Sequence, residues 1–264
     1  MTATPPLIIG HRGASAIAPE NTIAAFRLAL AAGADGVEFD VRLTRDGIPV
    51  VIHDDNLRRT GSLPQTVASL SLAELKQVDV GSWFNRTQKR STSDFSGEKI
   101  PTLEEVFQLF ESTDAVLYLE MKSDATQRDQ LATVCSESLR ARSFKARVIV
   151  ECFDLAGIET VKRLDPQIKT AALFEPTLVT SWLVNSGRKM IEQALAAGAD
   201  EIALHQRLAS QQVIETAKAA GLKVVVWTVD DKVWVRRAQS CGISALITND
   251  PGLMILEHNR LRPV

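Results

Sequence analysis

A chain of 264 residues with 45% hydrophobic content carries enough apolar material for one large α/β domain or two small ones. A net charge of −2 leaves no basic surplus for nucleic acid and no polybasic patch for a membrane surface. No apolar run is long enough for a bilayer span, and residues 1–6 lack the basic and apolar regions of a signal peptide. Cys135, Cys152 and Cys241 are odd in number and without metal-ligand spacing, so free thiols in a reducing cytoplasm are expected.

Strand-like apolar runs fall at 7–9, 36–41, 49–53, 115–121, 147–152, 169–174, 201–204, 223–229 and 244–247. Helical 3.6-residue patterns lie between most of them, at 22–32, 102–110, 126–141, 156–164, 188–197, 210–220 and 231–240. Continuous apolar strands separated by helices imply a parallel sheet covered by helices. At this length the α/β solution is a TIM (β/α)8 barrel, here a single domain over 1–264. The segment Ala-Leu-Ala-Ala-Gly-Ala-Asp occurs at 29–35 and again at 194–200, marking repeated helix-to-strand turns.

The first strand runs into Gly10-His11-Arg12-Gly13, and Pro19-Glu20-Asn21-Thr22 leads into the first helix. Histidine moves a proton near neutral pH, arginine grips an anion with two prongs, and glycine admits close backbone approach. His11 and Arg12 therefore read as an anion site with acid–base chemistry. Glu38 and Asp40, two apart on the second strand, share a face. Paired carboxylates on an apolar strand repel and are costly to bury. A divalent cation relieves both problems; a salt bridge to Arg42 or Arg45 is the purely structural alternative.

Thr44-Arg45-Asp46-Gly47 is turn chemistry for a hairpin. The register expected from it sets His53 beside Glu38 and Val51 beside Asp40. Residues 54–100 hold no clear strand–helix unit and read as a small insertion after the strand bearing His53. Ser71 to Lys76 is a short capped helix, and Trp83 and Phe84 are expected to pack the insertion onto the barrel. A lid over the substrate is the sharper reading of so long a loop.

Glu120 and Lys122 repeat the two-apart spacing at another strand end. An ion pair is the simple reading. Together with Glu38 and Asp40, Glu120 completes three oxygen ligands, which suit Mg2+ or Ca2+ better than zinc. His53 beside His11 supplies both a general base and a general acid. His205 ends a strand and reads as structural or at a pocket rim, and His258 reads as surface. Trp227 is core by default; as a pocket wall it suits the C–H face of a small polyol. Asn249 or Asp250 is expected to cap the last helix, with Pro251 in its first turn.

These motifs, in order, resemble the glycerophosphodiester phosphodiesterase family. The resemblance rests on His11-Arg12-Gly13, Pro19 to Thr22, Val37 to Val41, Thr44 to Gly47, Val51 to Asp54, Leu57 to Thr60, Leu72 to Leu75, Lys99 to Glu105, Leu119 to Lys122, Trp227 to Val229 and Thr248 to Asp250. It implies a barrel with the insertion noted above, Glu38, Asp40 and Glu120 as metal ligands, His11 and His53 as the acid–base pair, and Arg12 and Lys122 at the phosphate. The implied reaction is metal-dependent hydrolysis of small glycerophosphodiesters to sn-glycerol 3-phosphate and an alcohol. No nucleic acid or stable membrane association is implied, and a homo-oligomer is compatible with it. The alternatives are a phospholipase-like enzyme acting on lysophospholipids and a non-catalytic barrel that binds a phosphate ligand. Cys152-Phe153 stands where the family often has Ser-Phe, and Asp230 where it often has Asn. The first exchanges a pocket-wall hydroxyl for a thiol, and the second adds a carboxylate near the mouth.

Overall fold

The computed structural model describes residues 5–87, 93–122, 126–140, 142–144, 147–176 and 186–261. Among these, nine strands form one sheet. They are β1 (Leu7–His11), β2 (Gly36–Leu43), β3 (Pro49–Val51), β4 (Val116–Met121), β5 (Val148–Cys152), β6 (Lys169–Phe174), β7 (Glu201–His205), β8 (Lys223–Trp227) and β9 (Ala245–Thr248). All pair in parallel except β3, which runs antiparallel on β2 and stands outside the ring. Because β1 pairs with both β2 and β9, the other strands close into an eight-stranded barrel, as expected.

Alternation along the strands divides the core. Inward residues such as Ile9, Tyr118, Ile149, Leu173, Val225 and Ile247 fill the barrel. Outward residues meet the helices: Phe39 of β2 packs edge-on against Phe26 of α1 (Ile23–Ala31), with ring centroids 5.9 Å apart. Each fully buried phenylalanine contributes roughly 2–3 kcal/mol of apolar transfer. The repeat behaves as predicted, its copies leading α1 into β2 and α7 (Ser186–Ala196) into β7.

The hairpin register is one residue away from the expectation. Val41 faces Val51 and Arg42 faces Val50, so His53 lies beyond the ladder rather than beside Glu38. Gly47 causes the shift: with φ at +76° it adds a left-handed residue, giving a three-residue loop between Thr44 and Ile48, where Thr44 N–H donates to the Ile48 carbonyl.

The insertion is held by two apolar clusters. Val50 and Ile52 pack with Leu57, Val67, Leu75 and Ile100. Phe84 and Phe95 pack with Ala18 and Ala25, with Trp83 alongside, as expected of Trp83 and Phe84. Two short helices, α2 (Leu72–Leu75) and α3 (Ser82–Thr87), lie within it, and Ser71 and Glu74 form a capping box on α2. The insertion's polar tract includes residues 88–92, which lie outside the described residues. The packed segment walls one side of the barrel mouth.

Between them run α4 (Leu103–Phe110), α5 (Arg128–Arg140), α6 (Leu155–Leu164), α8 (Gln211–Ala219), α9 (Val233–Cys241) and α10 (Pro251–Leu261). On α10, Met254, Glu257 and His258 form one buried face, so His258 is core and not surface. No described helix is long and apolar enough to cross a membrane.

Candidate active site

The site begins with a bend after β1. Arg12 has φ +54°, a left-handed conformation that is uncommon outside glycine and that gathers at functional sites. The bend aims the Arg12 backbone N–H at Glu38 Oε2, 3.0 Å away. The Arg12 side chain reaches Glu20 Oε1 at 2.8 Å through Nη1, and its Nε lies 3.2 Å from Asp40 Oδ2. Asn21, also left-handed at φ +58°, donates from Nδ2 to Asp40 Oδ2 at 2.7 Å.

Strand pairing sets the carboxylates side by side. His11 faces Glu38 across β1 and β2, and Asp40 faces Glu120 across β2 and β4. Ligand oxygens of Glu38, Asp40 and Glu120 lie within 4.8 Å of one another, and all three residues are buried. One buried oxygen of each (Glu38 Oε1, Asp40 Oδ1 and Glu120 Oε1) lacks an aligned hydrogen bond, though Lys122 Nζ lies 2.7 Å from Glu120 and 3.4 Å from Asp40. Three buried, convergent, under-satisfied oxygens are a donor set that could hold a hard divalent cation. The structural alternative of Arg42 or Arg45 is not realised: Arg42 donates to the His53 and Lys122 carbonyls, and Arg45 pairs with Glu74.

Electrostatics separate the three acids. Burial and then Asp40 push the Glu120 carboxyl up to about 8. Burial, Asp40 and Glu120 likewise raise Glu38. Burial opposes ionisation of Asp40 too, yet Arg12 and Lys122 outweigh it and hold that carboxyl below its ordinary range. Crowded acids of this kind are relieved by a cation and mark functional clefts.

Both histidines are anchored at Nδ1. His11 Nδ1 lies 2.7 Å from Asn249 Oδ1, and His53 Nδ1 lies 2.8 Å from Asp54 Oδ1. Burial, followed by Arg12, lowers His11 to about 4. His53 is lowered by burial, with Arg12 and Lys122 adding to the effect against Asp40. Both shifts favour the neutral ring, which can accept a proton.

His11, Arg12, Glu38, His53, Glu120 and Lys122 line one cavity of about 430 Å³, and Trp227 joins its wall. Asp40 sits behind it, fully buried. All the site residues expected from sequence are thus brought together. Trp227 meets Phe153 edge-on at 5.5 Å, and His205 also meets it edge-on at 5.3 Å. A contiguous groove of about 720 Å³ runs from His53 and Lys122 towards Asp54, Asp55 and the insertion.

Several contributors were not singled out as site residues from sequence: Glu20, Asn21, Asp54, Asn249, Glu151 and Phe153. Asn249 does not cap α10; Asp250 does, accepting from Leu253 N–H at 2.9 Å. Asp230 anchors Asn249, accepting its Nδ2–H at 2.7 Å and its backbone N–H at 2.8 Å. It is thus tied down rather than a loose carboxylate at the mouth. Cys152 is buried, its thiol donating to the Met121 carbonyl at 3.4 Å; it lines the larger groove, in keeping with a thiol at the pocket wall, while its neighbour Glu151 lines the cavity shared by the two histidines.

The sequence profile of the Glycerophosphoryl diester phosphodiesterase family matches residues 11–253. A glycerophosphodiester phosphodiesterase of Caldanaerobacter subterraneus is 35% identical over 251 residues, 94% of this chain and 96% of that protein. One from Bacillus subtilis is 31% identical, covering 94% and 84% of the two chains. Among solved structures, an Oleispira antarctica phosphodiesterase in complex with the product sn-glycerol-3-phosphate superposes with a TM-score of 0.83 at 29% identity, covering 97% of each chain. The glycerophosphodiester phosphodiesterase of Thermotoga maritima gives 0.74 at 27% identity, covering 98% and 99%. The chain therefore belongs to the glycerophosphoryl diester phosphodiesterase family, and its TIM barrel houses a phosphodiester hydrolase of that class.

Proposed function

We propose that the enzyme hydrolyses small glycerophosphodiesters, such as glycerophosphocholine or glycerophosphoethanolamine, to sn-glycerol 3-phosphate and an alcohol. The carrying observation is that His11, His53, Arg12, Lys122, Glu38 and Glu120 border a single cavity of about 430 Å³, with Asp40 buried directly behind it and its carboxylate converging on those of Glu38 and Glu120. The product complex of the Oleispira antarctica relative supports the same choice of substrate.

Glu38, Asp40 and Glu120 would hold one divalent cation, Mg2+ or Ca2+. When bound, it would supply positive charge where the non-bridging phosphate oxygens gain negative charge. Arg12 and Lys122 flank the phosphodiester and stabilise the same charge. One histidine takes the proton from the attacking oxygen at Nε2; the other must first take up a proton at Nε2, as imidazolium, and then gives it to the leaving alkoxide. The Nδ1 anchors leave Nε2 as the working atom of each ring. Phe153 and Trp227 offer flat apolar walls to the glycerol carbons. The free thiols are consistent with the cytoplasm as the site of action.

The test is release of sn-glycerol 3-phosphate from glycerophosphocholine, assayed with Mg2+ or Ca2+ and again after chelation. Turnover that a chelator abolishes and either ion restores supports the proposal. Tight substrate binding with no turnover under any ion would instead support a phosphate-binding barrel. Cleavage confined to lysophosphatidylcholine would support the lipid reading.

A further inference from the structure

Arg59 lies in the insertion and lines no catalytic contact, yet its guanidinium meets both halves of the site. Nε donates to Asp54 Oδ2 at 2.8 Å. Nη1 and Nη2 donate to Glu20 Oε2 and Oε1 at 2.6 and 2.7 Å. Asp54 holds His53 through its other oxygen, and Glu20 Oε1 also accepts from Arg12 Nη1. A continuous chain of charge-assisted hydrogen bonds thus runs from His53 through Asp54, Arg59 and Glu20 to Arg12. Trp83 backs the guanidinium, whose carbon lies 5.4 Å from the ring centroid.

We propose that Arg59 is a positioning residue, clamping Asp54 and Glu20 so that His53 and Arg12 keep their working orientations. The proposal rests on the roles given above to His53 and Arg12. Surface ion pairs are worth little when isolated, but planar, two-pronged pairs joined in a network are the exception. Here all three nitrogens of one guanidinium are used, with two carboxylates on different segments of the barrel mouth as acceptors. The side chains of Glu20 and Asp54 are only 14% and 23% exposed, so water replaces Arg59 poorly. Lysine offers a point charge that cannot bridge both acids at once. The same geometry gives the insertion a task. Its aromatic cluster seats Trp83, Trp83 seats Arg59, and Arg59 ties the histidine side of the mouth to the arginine side.

The experiment compares wild-type, Arg59→Met, Arg59→Lys, Asp54→Asn, Arg59→Met/Asp54→Asn and His53→Ala enzymes on glycerophosphocholine, with the ion that supports wild-type turnover. Loss of an orienting partner typically costs 10–100-fold. Arg59→Met and Arg59→Lys are each expected to lower kcat by about that factor, with a melting temperature close to wild type. The double variant is expected to be no worse than about threefold below its weaker parent, because both changes break one chain. Arg59→Ala supplies a second readout, in which millimolar methylguanidinium recovers part of the lost kcat. Folded Arg59 variants with kcat within threefold of wild type, fully multiplicative losses, or no methylguanidinium rescue would each overturn the proposal. His53→Ala separates the two levels. If it is inert while Arg59→Met is fully active, the clamp alone fails; if it matches wild type, the catalytic reading fails and takes the clamp with it.

Discussion

His11 Nδ1 and Asn249 Oδ1 are 2.7 Å apart, although 238 positions separate them in the chain. Asp230 Oδ2 can only accept, so the Asn249 NH2 must face it, at 2.7 Å. Asn249 therefore presents its oxygen to His11, and His11 Nδ1 carries the proton. The lone pair is on Nε2, 3.8 Å from Glu38 Oε2.

If Asn249 sets the tautomer, Asn249→Leu lowers kcat by about 10–100-fold while leaving cation affinity near wild type. Steady-state kinetics together with calorimetric titration of the ion would check this. An unchanged kcat would remove Asn249 from the mechanism.

Acid–base catalysis predicts losses of roughly 10²–10⁴-fold in kcat for His11→Ala and for His53→Ala. The two should differ in substrate dependence. A substrate with a low-pKa leaving group, such as a nitrophenyl ester, needs no proton on the leaving oxygen, so it should rescue only the variant that lacks the general acid. Rescue of one variant and not the other assigns the roles.

Cation binding should strengthen as pH rises. Glu120 stands near 8 in the ion-free protein, against its usual 4.5. Between those values the folded protein keeps a proton that the unfolded chain has already lost. The stabilising contribution of that proton is whole below about pH 4.5 and fades as pH climbs to 8. A cation must displace the same proton, so apparent affinity should increase from pH 6 to pH 8 with proton release. Titration calorimetry in buffers of different ionisation enthalpy measures it. Glu120→Gln should flatten both the stability slope and the released-proton count.

Gly13→Ala should damage fold and site together. Gly13 has φ +84°, and an added Cβ would lie 2.6 Å from the Ala25 carbonyl carbon and 2.8 Å from its oxygen. The clash is with backbone of α1, which cannot swing aside as a side chain can. Overpacking of this kind costs on the order of 1–3 kcal/mol, with further strain from the positive φ. A lowered melting temperature and a fall in activity at temperatures where the variant is still folded are the expected outcomes.

What was legible in sequence was whatever a short segment decides alone. Apolar runs and helical periodicity located the barrel strands and most helices, and two-apart spacing placed Glu38 with Asp40 and Glu120 with Lys122. The hairpin register escaped because one left-handed glycine, Gly47, decides it. Arg59, Glu20 and Asn249 escaped for another reason. Each acts through a partner that only the folded chain brings near, Arg59 meeting Glu20 from 39 positions away and Asn249 meeting His11 from 238, and no local pattern distinguishes an orienting asparagine from a helix cap. The burial of His258 is not legible in the sequence because it depends on which face of α10 meets the barrel.

Closure of the ring has a consequence for the newly made protein. His11 and Arg12 stand at the end of the first strand, while the residue that orients His11 follows the last, and Gly10 pairs with Thr248 across that seam. A nascent chain holds its histidines and carboxylates from early in synthesis, yet the site is complete only when both ends of the sequence meet. Contacts of such long sequence separation form slowly. Appearance of turnover during refolding or translation is therefore a direct clock for barrel closure.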